Sequence, residues 1–141
     1  MKEENFMRLA IQDAKKHGLH FGAVVVKGDK VVAKAGKRPQ GDPRFHAETQ
    51  ALIKASNKLK TKNLRGCTLY STCEPCPMCF YMAWITHISK IVYGATLQDS
   101  IKYGFEEIDI GIDELNRKGG KKVKLSKEFL RDECLKLFKE K

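Results

Sequence analysis

The chemistry this sequence offers is concentrated in two short segments. His46-Ala47-Glu48 lies upstream of Pro75-Cys76-Pro77-Met78-Cys79. Cys76 and Cys79 are three positions apart. At the start of a helix that spacing lets both sulfurs converge on one point, and the helix N-terminus favours their thiolate form. Two thiolates and one imidazole give zinc three ligands and leave the fourth tetrahedral position to water. His46 supplies the imidazole, from the expected start of a helix of its own. Glu48, two residues on, is not a ligand in this reading. It stands beside the water as general acid and base.

Each half alone carries little information. A His-x-Glu is common, and a C-x-x-C is equally a redox pair or half of a closed structural zinc site. A thioredoxin-like dithiol would account for Cys76 and Cys79 but not for His46 and Glu48. A closed zinc site needs a fourth protein ligand, and Cys73 is the obvious one. The reading adopted is that Cys73 lies near the metal without binding it. A zinc-stabilised RNA-binding module without catalysis would have no use for Glu48. Among the other residues, Cys67 and Cys134 read as buried free thiols in a strand and a helix. His17, His20 and His87 read as surface or helix-end histidines. Met78, Met82 and Trp84 read as core and dimer contacts.

These residues need elements to hold them. Phe6, Met7, Ala10, Ile11 and Ala14 follow helical spacing, closed by Gly18. Two β-branched runs, Phe21–Val26 and Val31–Ala35, flank a Gly-Asp turn and read as a hairpin. The stretch from Gly36 to Phe45 contains Pro39, Gly41 and Pro43 and reads as a loop. Ala47, Ala51, Leu52 and Ala55 mark a helix starting near His46. Cys67–Ser71 reads as a strand, and Pro75 is expected to open the helix that follows. Lys90–Gly94 reads as a strand, and Asp99–Gly111 as a short helix and a loop. Ile112–Lys118 reads as a helix ended by Gly119-Gly120. Lys121–Leu125 is a candidate edge strand guarded by lysines. Ser126 is the expected N-cap of a last helix, with the stripe Leu130, Cys134, Leu137 and Phe138. Alternation of this kind predicts an α/β layered domain with helices on both sheet faces.

Length and composition are consistent with this. A chain of 141 residues fits one compact domain. Five cysteines, three of them between positions 73 and 79, suit a metal site in a reducing compartment better than a disulfide framework. The first residues lack the apolar run of a secretory signal, and the protein is expected to be soluble and cytoplasmic. A formal charge of +10 suggests an anionic partner such as nucleic acid, or a lysine-rich solubilising surface. The basic stretch Lys54–Arg65, which contains no acid, is the natural place for phosphate contacts.

In this order, H-x-E followed by P-C-x-x-C resembles the cytidine/deoxycytidylate deaminase superfamily. The resemblance covers most of the chain, and several segments are most similar to its guanine deaminase branch. They are Phe21-Gly-Ala-Val, Asp42–Glu48, Ser71–Cys79 and Asp99–Glu107. In tRNA adenosine deaminases a leucine usually stands where Cys73 does. The resemblance implies a three-layer α/β/α fold with a mixed five-stranded sheet over residues 1–141, and a homodimer. It implies one zinc ion per subunit on His46, Cys76 and Cys79, with Glu48 as proton shuttle. Phe21 would lie against the face of the base, Ala47 would line the substrate, and Asp99 would read a purine edge. The implied reaction is hydrolytic deamination of a nucleobase by zinc-activated water, guanine to xanthine being the first choice. A tRNA adenosine, cytosine or another nucleoside are the alternatives. The chain departs from the family in one loop. A Gly-x-Asn asparagine that contacts substrate is missing, and Lys37 or Arg38 takes its neighbourhood. His20 also stands where proline is common.

Overall fold

The computed structural model describes residues 2–39 and 41–139. In chain order the elements are α1 (Glu3–Lys16), β1 (Ala23–Lys27), β2 (Lys30–Lys34), α2 (Ala47–Leu59), β3 (Cys67–Cys73), α3 (Pro77–Ile85), β4 (Lys90–Ala95), α4 (Leu97–Lys102), α5 (Ile112–Lys118), β5 (Lys124–Ser126) and α6 (Arg131–Lys139). The strands form one mixed five-stranded sheet in the order β2-β1-β3-β4-β5. The strand β1 is antiparallel to both β2 and β3, whereas β3, β4 and β5 run parallel.

Strand parity explains the three layers. Successive side chains point to opposite sheet faces, so a strand buried on both sides is apolar throughout. Ala23 and Val25 of β1 pack with Leu69 and Ile91 against the small residues Ala47, Ala51 and Ala55 of α2, together with Phe80 and Ala83 of α3. Val24 and Val26 face the other way, with Tyr70 and Val92, onto Phe6, Met7 and Ala10 of α1 and Cys134 and Leu137 of α6. The sheet therefore carries α2, α3 and α5 on one face and α1 and α6 on the other, as the α/β/α expectation requires. Gly22 permits α1 to lie close to the start of β1: a Cβ there would sit 2.0 Å from the Ala10 carbonyl oxygen.

Two boundaries differ from the sequence expectation. Pro77, not Pro75, opens α3, and Cys76 is its extended N-cap (φ −69°, ψ 172°). A proline disfavours the helical region for the residue before it, so Pro77 itself fixes the boundary. Ser126 ends β5 and does not cap α6. The chain turns instead through Glu128 and Leu130, both at positive φ, and the Phe129 N–H docks on the Tyr93 carbonyl of β4 (2.8 Å). Among the described residues no helix is long and apolar enough to cross a membrane, and all five cysteines are free thiols.

Candidate metal centre and base cavity

The two motifs meet because two helices begin at the same place. His46 is the N-cap of α2 and Cys76 the N-cap of α3, both in extended conformation. His46 Nδ1 lies 3.5 Å from Cys76 Sγ and 3.3 Å from Cys79 Sγ. These three donor atoms all fall within 4.8 Å of one another and could hold one metal ion. Tetrahedral zinc, with bonds of about 2.3 Å to sulfur and about 2.0–2.1 Å to nitrogen, sets sulfur and nitrogen about 3.6 Å apart. The observed spacings match that edge, and the donor set of one imidazole and two thiols suits zinc. Cys73 Sγ points elsewhere, donating to the Thr96 carbonyl (3.7 Å), and burial pushes its thiol pKa well up.

The electrostatics of the group suit a cation. Hydrogen bonding from Cys79, followed by His46, lowers Cys76 to about 4 against the opposing cost of burial. Cys79 retains its proton, raised by the bond to Cys76 and by burial. A divalent cation would let both sulfurs ionise. Glu48 is buried, with 5% of its surface exposed. Burial and then the Cys76 charge raise its carboxyl to about 7, opposed by His46 and the Ser71 hydroxyl. A carboxyl group with that value can take and return a proton near neutrality.

Above this floor is a cavity of about 470 Å³. Phe21, Arg38, His46, Ala47, Glu48 and Cys76 line it, and so do the loop residues Phe105, Glu106 and Glu107. Phe21, Phe105 and Phe138 form an aromatic cluster, with ring centroids 4.9–5.5 Å apart. The end of α6 thereby packs against two residues of the cavity wall. Phe21 and Ala47, expected against the substrate, do reach it. Asp99 does not. It closes a capping box with Thr96 at the start of α4 and takes two bonds from Arg131 (2.7 and 2.8 Å). The Arg131 bonds, with help from Thr96, hold its carboxyl at about 2.

Sequence reasoning passed over several wall residues. His20 was read as a surface histidine, yet it lines the cavity and its Nδ1 donates to the Leu137 carbonyl (2.9 Å). Glu74 is buried and accepts the N–H groups of Leu97 (3.1 Å) and Ile112 (2.8 Å), the first residues of α4 and α5. It thus ties together the starts of α4 and α5, the two helices between which the loop with Phe105 to Glu107 runs. Glu107 accepts from the Ser100 hydroxyl (2.7 Å), and burial raises its pKa. The one available signal was that Glu74 and Glu107 fall inside segments quoted for the family resemblance.

Comparison with known proteins gives this arrangement a context. Residues 1–95 match the cytidine and deoxycytidylate deaminase zinc-binding region. The chain is 38% identical over 101 residues to the tRNA-specific adenosine deaminase of Aquifex aeolicus, covering 67% of each chain. It is 33% identical over 114 residues to the guanine deaminase of Bacillus subtilis, covering 76% of this chain and 73% of that one. Among solved structures, a mutant of NE0047 in complex with 8-azaguanine aligns with a TM-score of 0.81 at 25% identity. That alignment covers 97% of this chain and 80% of the other.

Proposed function

The chain belongs to the cytidine and deoxycytidylate deaminase family of zinc-dependent hydrolytic deaminases, and from that premise we propose that its substrate is guanine, converted to xanthine and ammonia. On this reading residues 1–141 act as one catalytic unit. His46, Cys76 and Cys79 hold the zinc ion, and Glu48 moves the protons. Bound zinc supplies a Lewis acid that lowers the pKa of water towards neutrality. Glu48 takes one proton of the water and delivers it to the ring nitrogen beside the reacting carbon. It then takes the second from the hydroxyl now on that carbon and passes it to the amine, which leaves as ammonia when the C–N bond breaks. Its raised pKa suits both directions of transfer. Phe21 and Ala47 hold the flat ring over Glu48, and the aromatic cluster with Phe138 keeps bulk water out.

The observation that favours a free base is the charge of the wall. The chain carries +10 overall, yet five acids, Asp42, Glu48, Glu74, Glu106 and Glu107, line the cavity against one arginine, Arg38. That lining suits a small neutral ring and repels a phosphodiester backbone. The guanine deaminase of Bacillus subtilis and the 8-azaguanine complex of NE0047 support the same choice.

A second reading, deamination of tRNA adenosine, rests on a different region. Lys58, Lys60, Lys62 and Arg65 are exposed at the far end of α2. A helix of 13 residues sets them about 20 Å from His46. That is a plausible phosphate footprint, and the Aquifex aeolicus relative favours it. Ammonia release from guanine, adenine, cytosine, their nucleosides and unmodified tRNA separates the two. Xanthine from guanine is the expected product. Inosine in tRNA, without turnover of guanine, would reverse the choice. The reading also includes a homodimer through α3, whose Met78, Tyr81 and Ile85 are exposed on one face. A monomeric mass at micromolar concentration would remove that part.

A further inference from the structure

We propose that Arg38 determines specificity in this cavity by presenting a fixed donor edge to the carbonyl and ring nitrogen of a neutral oxo-purine. The proposal rests on the reading of guanine as substrate and adds the residue that selects it. Of the two adjacent cations just after β2, Lys37 is exposed and does not line the cavity, whereas Arg38 is half-buried and does.

The loop is fixed from below. Gly36 turns at φ 75°, its N–H donates to Asp13 Oδ2 (3.0 Å), and Lys54 Nζ holds the neighbouring Ala35 carbonyl (2.7 Å). Pro39 then keeps Arg38 out of helical conformation. The guanidinium itself is pinned by two backbone carbonyls. One terminal nitrogen donates to Gly36 O (2.9 Å) and the other to Phe21 O. A guanidinium has five N–H donors and no acceptor. The two carbonyls engage two of them, and the residue lines the cavity with the others not taken by these bonds. Because the fork is already held, a ligand that meets it orders little further.

What those donors meet follows from charge and from chemistry. Burial lowers the pKa of Arg38 against the weaker attraction of Asp13 and Glu48, and further acids line the wall. Those acids disfavour a phosphate, and the guanidinium, already seated on two carbonyls, recognises a neutral ligand by hydrogen bonds. Guanine with its C2 amino group over Glu48 turns its O6 and N7 acceptors away from the floor. Arginine pairs with that edge through two parallel bonds. In 2,6-diaminopurine the C2 amino group and N7 are the same, but O6 is replaced by an amino donor and N1 has no hydrogen. Donor then faces donor, and neither is satisfied.

The test is binding to zinc-loaded protein in which Glu48→Gln prevents turnover, measured by equilibrium dialysis. Guanine should bind about 10–100-fold more tightly than 2,6-diaminopurine. Adding Arg38→Gln, which offers an acceptor as well as donors, should bring the two within about threefold. Adding Arg38→Lys, which keeps donors only, should retain a preference for guanine. Melting temperature and zinc content identify any variant that has not folded, and the Lys variant then carries the comparison. The proposal is overturned if the ratio is unchanged by Arg38→Gln, or if neither purine is retained. Tighter binding of guanosine 5′-monophosphate than of guanine would also overturn it, in favour of a phosphate site. Ammonia release by the unsubstituted enzyme is scored separately. A guanine preference that follows Arg38 without xanthine formation would refute the proposed substrate and leave the role of Arg38 standing.

Discussion

The floor of the cavity and its wall are built by different means. His46 and Glu48 lie on the first turn of α2, and Cys76 and Cys79 on the first turn of α3. Helical geometry over four residues is enough to aim each pair, and two packed helices bring the pairs together. The wall instead comes from separate loops: Phe21 before β1, Arg38 after β2, and Phe105 to Glu107 between α4 and α5. Each is tied to a group distant in sequence: the N–H of Gly22, beside Phe21, donates to the Thr72 hydroxyl, that of Gly36 to Asp13, and those that open α4 and α5 to Glu74. A floor made locally tolerates little change, because its chemistry and its geometry are the same residues. A wall made of long-range ties can change the side chain it presents while the ties remain. Chemistry and specificity can therefore diverge separately in this fold.

Breaking the floor should have the largest consequence. Cys79→Ser removes one of three donors, so zinc measured by plasma mass spectrometry after dialysis should fall below about half an equivalent per chain, with activity lost. Full zinc occupancy in this variant would mean that Cys73 turns in as a replacement ligand. Glu48→Gln comes next and separates the two roles of the floor. Zinc should stay at one equivalent, while kcat falls by about 10³-fold, the middle of the range for a lost proton shuttle. A kcat within about tenfold of the parent would remove Glu48 from the reaction.

The contrast also decides how much could be read in the sequence. The floor was legible because thiol, imidazole and carboxylate stand at fixed short spacings, each following from one helical turn. The sheet was legible for a similar reason: Ala23-Val24-Val25-Val26 is apolar at every position, the pattern of a strand covered on both faces. Errors arose where two local signals competed. Pro75 and Pro77 both suit a helix start, and only the second places Cys76 in the extended N-cap position. Ser126 has an N-cap side chain, but pairing with β4 claims its backbone first. The wall was illegible in a different way. Nothing local marks Glu74 as a tie, since its partners Leu97 and Ile112 lie 23 and 38 positions further on. The loop after β2 drew notice through its cations, but only the fold distinguishes Lys37, which faces solvent, from Arg38.

Breaking the wall should leave the chemistry intact and weaken its hold on substrate. Glu74→Gln keeps one acceptor oxygen where two buried N–H groups need one each. One N–H is left unsatisfied, at a cost of about 1–3 kcal/mol in stability. The loop bearing Phe105 to Glu107 loosens, so KM for guanine should rise about tenfold while kcat stays within about threefold. Steady-state kinetics at matched zinc content checks this. A fall in kcat with KM unchanged would place Glu74 with the floor.

The smallest effect is expected where the family resemblance and the structure point in different directions. Asp99 was expected to read a purine edge, but its carboxylate is fully engaged by Arg131 and Thr96 and does not line the cavity. Asp99→Asn should therefore change KM for guanine by less than about twofold, since it alters a contact away from the substrate. A tenfold rise would return Asp99 to the substrate edge. The clamp should appear in stability instead. Its carboxyl is held at about 2, below the ordinary value of 3.8, chiefly by the bonds from Arg131. A carboxyl group lowered in the folded state stabilises the fold above its unfolded pKa, and that contribution fades as pH falls from about 4 towards 2. Arg131→Ala should lower the melting temperature by about 4 °C or less at pH 7. The gap from the parent should narrow as the pH of the melt is taken from 5 to 3. A gap that stays constant over that range would mean that Arg131 acts by packing α6 against the start of α4, with its charge playing no part.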